Sequence, residues 1–317
     1  MRILFMGTPE FAVPSLEMLA GSAEHTICGV FSQPDRPKNR GMKLQPTPVK
    51  QCAEAHGIPV FQPETLRDGA AMQSLRSLDP ELIVVAAYGR ILPPDMLAYP
   101  KYGCINVHSS LLPRYRGAAP INWAILNGDT VTGVTIMYMA QALDAGDIIL
   151  QRETAIGAEE DAAQLYSRLA CLGGALLEEA VNAIAAGTAP RTPQEHASHT
   201  VAPMLSKALS PVDWSRSAKE LHCQIRGLIP WPAATTDLIS GEAMKLFAAR
   251  IVEEETGQSP GTLLRADDQG LYIACGAGSV LCVTELQPSG GKRMKAADYL
   301  RGHPIRFSPE GGAACPR

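Results

Sequence analysis

Glu81-Leu82-Ile83-Val84-Val85-Ala86-Ala87 is a near-continuous apolar run without polar alternation. That pattern belongs to a strand buried on both faces, as in a parallel sheet covered by helices. Outward from it the chain alternates in kind. Before it, Arg2–Met6, Thr26–Ser32 and Ile58–Phe61 read as strands. Between them lie three helical stretches: one carrying Phe11, Leu16, Met18 and Leu19, then Pro48–His56 and Leu66–Leu78. After it come the strand Gly103–His108, the helix Ala119–Leu126, the strands Thr132–Tyr138 and Ile148–Glu153, and a long amphipathic helix over Ala162–Ala186. The alternation predicts a doubly wound, mostly parallel α/β domain over residues 1–189.

The composition then changes. Gly187–Pro203 holds prolines, Thr, Ser and two histidines with little periodicity, and an interdomain linker is expected over 190–208. His196 and His199 have only Glu195 as a nearby acid and no thiol, so they read as solvated linker residues rather than metal ligands. Beyond the linker, Trp214–Arg226 looks helical. Short β-like runs follow at Thr235–Leu238, Met244–Val252, Gly261–Leu264, Gly270–Cys275 and Val280–Leu286. Their close spacing predicts a small antiparallel β-barrel of OB-like type over 209–317.

The 317 residues suit two domains, and 46% hydrophobic with 19% charged residues describes a globular protein. Net charge is −4, so nothing global advertises a nucleic-acid partner. No apolar run approaches the ~20 residues of a membrane-spanning helix. Met1–Gly7 is interrupted by Gly7-Thr8-Pro9-Glu10 too early for a signal segment and reads as a first strand. The eight cysteines, at 28, 52, 104, 171, 223, 275, 282 and 315, form no C-x-x-C pair. Scattered thiols of this kind predict a cytoplasmic enzyme, without a metal. Nothing demands more than a monomer.

Strand one is not followed by G-x-G-x-x-G, and Pro9 removes a backbone donor that a pyrophosphate would need. The chain also lacks G-x-x-x-x-G-K-[ST] and G-x-S-x-G, which leaves P-loop and serine-hydrolase chemistry without support. The dense feature is Cys104-Ile105-Asn106-Val107-His108-Ser109-Ser110-Leu111-Leu112-Pro113-Arg114-Tyr115-Arg116-Gly117. Asn106 and His108, two apart on a strand, share one face at its C-terminal end, where ligands bind in open parallel sheets. Downstream, Leu143-Asp144-Ala145-Gly146-Asp147 puts carboxylates in a glycine-containing loop. Acyl transfer to an amine needs such groups. An amide or imidazole N–H donates to the oxyanion, each worth about 3–4 kcal/mol. A carboxylate accepts the amine proton or orients the imidazole. The plain alternative is a satisfied buried His108 and a turn-forming Asp144.

Ile105-Asn106-Val107-His108-Ser109-Ser110-Leu111-Leu112-Pro113, with Arg116-Gly117 and Leu143-Asp144-Ala145-Gly146-Asp147, resembles the folate-dependent formyltransferases. Gly7-Thr8-Pro9-Glu10-Phe11, Gln33-Pro34-Asp35-Arg36-Pro37, Ala87-Tyr88-Gly89 and Gly133-Val134-Thr135-Ile136-Met137 add to the likeness. So do Leu205-Ser206-Lys207, Val212-Asp213-Trp214, Pro230-Trp231-Pro232 and Pro260-Gly261-Thr262 in the second half, which narrow it to members acting on charged initiator tRNA. The resemblance implies a Rossmann-like formyltransferase fold, 10-formyltetrahydrofolate as formyl donor, and the amino group of methionine on initiator tRNA as acceptor. By position, Asn106, His108 and Asp144 match the family's catalytic trio. Ser110, Leu111, Leu112 and Pro113 match its tetrahydrofolate-contacting stretch, and Ala87 and Tyr88 the stretch beside its pterin pocket.

The resemblance also implies that Arg36, Lys38, Arg40 and Lys43, with Lys207, contact tRNA. In sequence, Arg36–Lys50 faces one acid, Asp35, and a second basic cluster, Lys292, Arg293, Lys295, Arg301 and Arg306, faces only Asp298. Relatives often carry Gly and Lys where this chain has Asn39 and Met42. From Leu209 onward the basic and acidic residues balance at 12 each, so the acidic excess lies before the second domain. Two readings stay open beside this one: the same chemistry on a small amine such as an amino sugar or purine precursor, and a non-catalytic RNA-binding module.

Overall fold

The computed structural model describes residues 1–38, 43–303, 305, 307–308 and 312–313. It divides into two units: Met1–Pro120, Val131–Ala155 and Tyr166–Ala202 in the first, and Ile121–Thr130, Ile156–Leu165 and Pro203–Arg317 in the second.

The strands of the first unit are β1 (Arg2–Gly7), β2 (Thr26–Phe31), β3 (Arg36–Lys38), β4 (Lys43–Gln45), β5 (Val60–Phe61), β6 (Leu82–Ala86), β7 (Cys104–His108), β8 (Arg116–Gly117), β9 (Val131–Tyr138), β10 (Ile148–Ala155) and β11 (Val201–Ala202). The helices before the second half are α1 (Val13–Ala20), α2 (Pro48–Ala55), α3 (Ala70–Leu78), α4 (Pro94–Ala98), α5 (Pro120–Leu126) and α6 (Ala162–Ala185). Seven strands form one sheet in the order β10-β9-β7-β6-β1-β2-β5. β7, β6, β1, β2 and β5 are parallel. β9 runs antiparallel to β7, and β10 antiparallel to β9. The α/β expectation holds, with a mixed sheet.

Every residue of β6 is buried, as its unbroken apolar run requires. Leu4, Met6, Phe31, Ile83, Val85 and Tyr88 share one core cluster. Register then sets the functional edge: Gly7 lies opposite Ala86, and Val85 opposite Asn106. The chain therefore leaves β1, β6 and β7 side by side at the C-terminal edge of the parallel strands.

The second unit is an antiparallel domain of β12 (Ala234–Thr236), β13 (Met244–Glu255), β14 (Leu263–Ala266), β15 (Leu271–Ala274), β16 (Ser279–Gln287) and β17 (Met294–Lys295), with helices α7 (Ala218–Gly227) and α8 (Ala296–Gly302). The described pairings follow the path β12-β13-β16-β15-β14, with β17 on β16. Three register shifts interrupt the long β13–β16 pairing, the device that bends and coils strands of small β domains. Leu221 and Ile225 of α7 pack with Leu246, Ile273, Leu281 and Val283. A last two-residue pair, β18 (Phe307–Ser308) and β19 (Gly312–Ala313), follows.

Several elements differ from the pattern-based expectation. α7 starts at Ala218 rather than Trp214, because Ser217 and Glu220 close a capping box there. α3 starts at Ala70 rather than Leu66, behind Gly69 at φ +81°. The hairpin β3–β4, α4 and α8 are too short to carry a period. Among the described residues no helix is long and apolar enough to cross a membrane.

Ile83 is wholly buried, so Ile83→Ala lowers unfolding free energy by about 2–5 kcal/mol. Ser217→Ala, which removes only a cap, lowers it by about 1 kcal/mol. Denaturant titration of both variants reads the difference, and equal effects would sink this account of the two sites.

Candidate active site

His108 ends β7 at 5% exposure. Its Nε2 lies 2.9 Å from the Tyr115 carbonyl oxygen. A carbonyl only accepts, so Nε2 carries the proton and donates. Nδ1 then faces Asp144 Oδ2 at 3.7 Å, with both side chains almost enclosed. The same Oδ2 accepts a hydrogen bond from the Gly117 amide at 2.8 Å. Asn106, half-buried on the same face of β7, makes no side-chain hydrogen bond among the described residues. The structure thus gathers the three residues read as catalytic, with the Asn106 amide uncommitted.

Backbone geometry holds these loops. Asp144 sits at φ +49°, a left-handed conformation that Asp tolerates better than most residues. At Gly146 a Cβ would overlap the Tyr138 carbonyl, and at Gly117 (φ +120°) it would lie 2.7 Å from the Ala202 carbonyl oxygen. These are the physical reasons for the two glycines in the motifs.

The Ser110–Pro113 turn, with a cis Leu112–Pro113 bond, is tied to β9 through buried Thr135. The Thr135 hydroxyl donates to Ser110 O at 2.6 Å and accepts from Leu112 N at 3.1 Å. It also accepts from Gln151 Nε2 at 2.9 Å, which donates in turn to Leu112 O. The Ser110 hydroxyl donates to Arg114 O at 2.7 Å, so its proton belongs to the turn. Leu112 is buried, while Leu111 and Pro113 are half-buried. Ala87 (φ +45°) is exposed past the end of β6. Tyr88 is buried, and its carbonyl accepts from Thr8 Oγ1 and Gln33 Nε2. Its phenol hydroxyl is buried without a hydrogen-bond partner among the described residues, and burial raises its pKa.

Of the expected tRNA contacts, Arg36 is exposed on β3, and Lys38 and Lys43 lie on the hairpin strands. Arg40, with Asn39 and Met42, lies outside the described residues, as does Arg306. Lys207 is exposed in a short 3-10 helix, Lys207–Leu209, of the second unit. Lys50 does not belong with the free charges. Its ammonium bonds Asp35 Oδ2 at 2.7 Å and Gln62 Oε1 at 2.9 Å, and that bond holds the Asp35 carboxyl below its ordinary range. In the second cluster, Arg293 pairs with Glu285 and Arg301 with Asp298. Glu285 escaped the count along the sequence because only the β16–β17 pairing brings it there.

The largest surprise is Gln194. In sequence it is one polar residue of a supposed linker, yet it is 5% exposed. Its amide donates to Asp144 O at 2.9 Å and Gly146 O at 2.8 Å, and its oxygen accepts from both Nε and Nη2 of Arg116. The stretch around it is part of the first unit and pairs within it: Thr192 bridges Ile148, and β11 runs parallel to β8. His196 accepts from Arg116 at Nδ1. No group of three or more His, Cys, Asp or Glu that could hold a metal ion occurs among the described residues.

Residues 1–181 match the family described as Formyl transferase, and residues 204–304 that described as Formyl transferase, C-terminal domain. The chain belongs to the formyl transferase family. It is 50% identical over 305 residues to the methionyl-tRNA formyltransferase of Alkaliphilus oremlandii, covering 96% of this chain and 97% of that one. It is 48% identical over 319 residues to the methionyl-tRNA formyltransferase of Pelotomaculum thermopropionicum, covering 99% and 100%. Within the family it therefore falls among the methionyl-tRNA formyltransferases. Two solved structures share the fold. An N-formyltransferase from Helicobacter canadensis, in complex with folinic acid and dTDP-3-aminofucose, gives a TM-score of 0.69 at 19% identity, covering 89% of this chain and 98% of that one. HypX from Aquifex aeolicus in complex with tetrahydrofolic acid gives 0.62 at 20%; the chain spans 47% of HypX, with 95% of its own length covered.

Cys104 opens β7, and burial pushes its thiol up to about 12. A thiol reagent at pH 8 therefore modifies exposed Cys171 and leaves Cys104 intact; mass mapping of the labelled sites checks this, and early labelling of Cys104 would contradict its placement.

Proposed function

We propose that this enzyme transfers the formyl group of 10-formyltetrahydrofolate to the α-amino group of methionine on initiator tRNA, giving formylmethionyl-tRNA for translation initiation in the cytoplasm. The observation that carries the reading is identity near 50% with methionyl-tRNA formyltransferases over the full chain. The grouping of Asn106, His108 and Asp144 supports it.

The methionyl amine attacks the formyl carbon, and the carbonyl oxygen gains negative charge. The uncommitted Asn106 amide donates to that oxyanion. His108 Nδ1, the nitrogen not engaged with Tyr115, takes the amine proton, and Asp144 beside it stabilises the imidazolium. The charged ring adds to the field that holds the oxyanion. Collapse forms the new amide, breaks the bond from the formyl carbon to N10 of the donor, and returns the proton to N10. An α-amino group titrates near ~8, so the demand on the base is modest. Ser110–Pro113 and Ala87–Tyr88 flank the donor. Arg36, Lys38, Arg40, Lys43 and Lys207 contact tRNA, with residues 209–317 as the tRNA-binding domain, and a monomer suffices.

Transfer from 10-formyltetrahydrofolate to methionine-charged initiator tRNA, against an uncharged control, tests the assignment. Asp144→Ala lowers kcat by about 10²–10⁴-fold, and Asn106→Ala by about 10²–10³-fold. Near-wild-type turnover in a folded Asp144→Ala enzyme would remove Asp144 from the mechanism. Arg36→Ala weakens tRNA binding and reduces the slope of log affinity against log salt by about one; an unchanged slope would take Arg36 out of the phosphate contacts.

A further inference from the structure

We infer that Gln194 is a positioning residue for formyl transfer, acting through Asp144; the inference rests on the proposed reaction. Asp144 reaches His108 and the Gly117 amide from a backbone held at φ +49°. A non-glycine residue held there needs surrounding structure to over-determine it. Gln194 supplies that constraint by donating to the carbonyls of Asp144 and Gly146, on either side of Ala145. The same side chain accepts from the Arg116 guanidinium, one residue before Gly117. One buried amide therefore locks together the loop bearing the carboxylate and the loop bearing its amide donor.

The strap that carries Gln194 is anchored independently of it. Thr192 exchanges two backbone hydrogen bonds with Ile148. Thr200 Oγ1 accepts from Tyr115 N at 2.8 Å, and Thr200 O accepts from Arg116 N at 2.8 Å. Gln194→Met keeps the side-chain volume and removes every hydrogen bond, so it loosens the Asp144 turn while the strap stays docked. Misplacement of a catalytic group by about 1 Å costs up to about 10²-fold in rate.

In Gln194→Met, kcat falls by about 10–10²-fold, with KM for donor and for charged tRNA within about twofold. In an Asp144→Asn background the same substitution changes kcat by no more than about twofold, because a residue acting through Asp144 has nothing left to position. A drop of equal size in both backgrounds, or unchanged kcat in the single variant, overturns the inference. A readout free of activity separates it from the functional reading. Hydrogen exchange at the Gly117 amide speeds by about tenfold or more in Gln194→Met, while the Tyr115 and Arg116 amides held by Thr200 keep their protection. Unchanged Gly117 exchange defeats the positioning role, and loss of protection at all three amides overturns it too, because Gln194 then holds the strap rather than the Asp144 turn. If the wild-type chain fails to formylate charged tRNA while Gly117 exchange responds as stated, the proposed reaction falls and the coupling of Gln194 to Asp144 stands.

Discussion

The hydrogen bond from the Gly117 amide to the Asp144 carboxylate joins the two loops on which the site depends. It spends one carboxylate oxygen on a fixed donor, and the same oxygen then faces His108. Each partner sits on unusual backbone: Asp144 at φ +49° and Gly117 at φ +120°. With that bond in place the imidazole is held by Tyr115 O at Nε2, and its Nδ1 faces the Asp144 carboxylate at 3.7 Å. The proposed reaction would draw on this arrangement, because groups already aimed at a developing charge need no reorganisation.

The mixed sheet explains how such loops come together. Parallel β1, β6 and β7 end side by side, which sets Thr8, Ala87 and the Asn106–His108 pair along one edge. Antiparallel β9 then runs back along β7 and brings Thr135 opposite His108. From there its hydroxyl ties down the Ser110–Pro113 turn, a task that only a small buried residue with one donor and two acceptor sites performs. The strap of residues 192–202 closes the arrangement from outside the sheet, with Val201 and Ala202 paired to Arg116 and Gly117.

Charge behaves similarly. Counted along the chain, Lys50 joins a basic run and Arg293 a second one. In space Lys50 is paired with Asp35, and Arg293 with Glu285. The exposed Arg293–Glu285 pair adds little stability, but both pairs withdraw cations from any phosphate-binding face. The free basic surface among the described residues is smaller than the composition of either segment suggests.

The local pattern carries much of this protein. An unbroken apolar β6, a strand ending Asn106-Val107-His108 and a glycine loop around Asp144 are legible because burial on two faces, strand alternation and tight turns each leave a period or a residue type in the chain. Boundaries such as the start of α7 are legible too, once the Ser217–Glu220 box is weighed above helical propensity. The role of Gln194 leaves no such mark: a glutamine among prolines and histidines has the composition of a solvated linker. Its three partners, Arg116, Asp144 and Gly146, lie 78, 50 and 48 residues away. The sequence by itself determined the α/β sheet, the family and the candidate residues Asn106, His108 and Asp144, because short-range periodicity and motif chemistry encode them. Only the tertiary structure decided what holds those residues in place, because long-range hydrogen bonds between polar side chains and distant backbone have no period for a sequence to display.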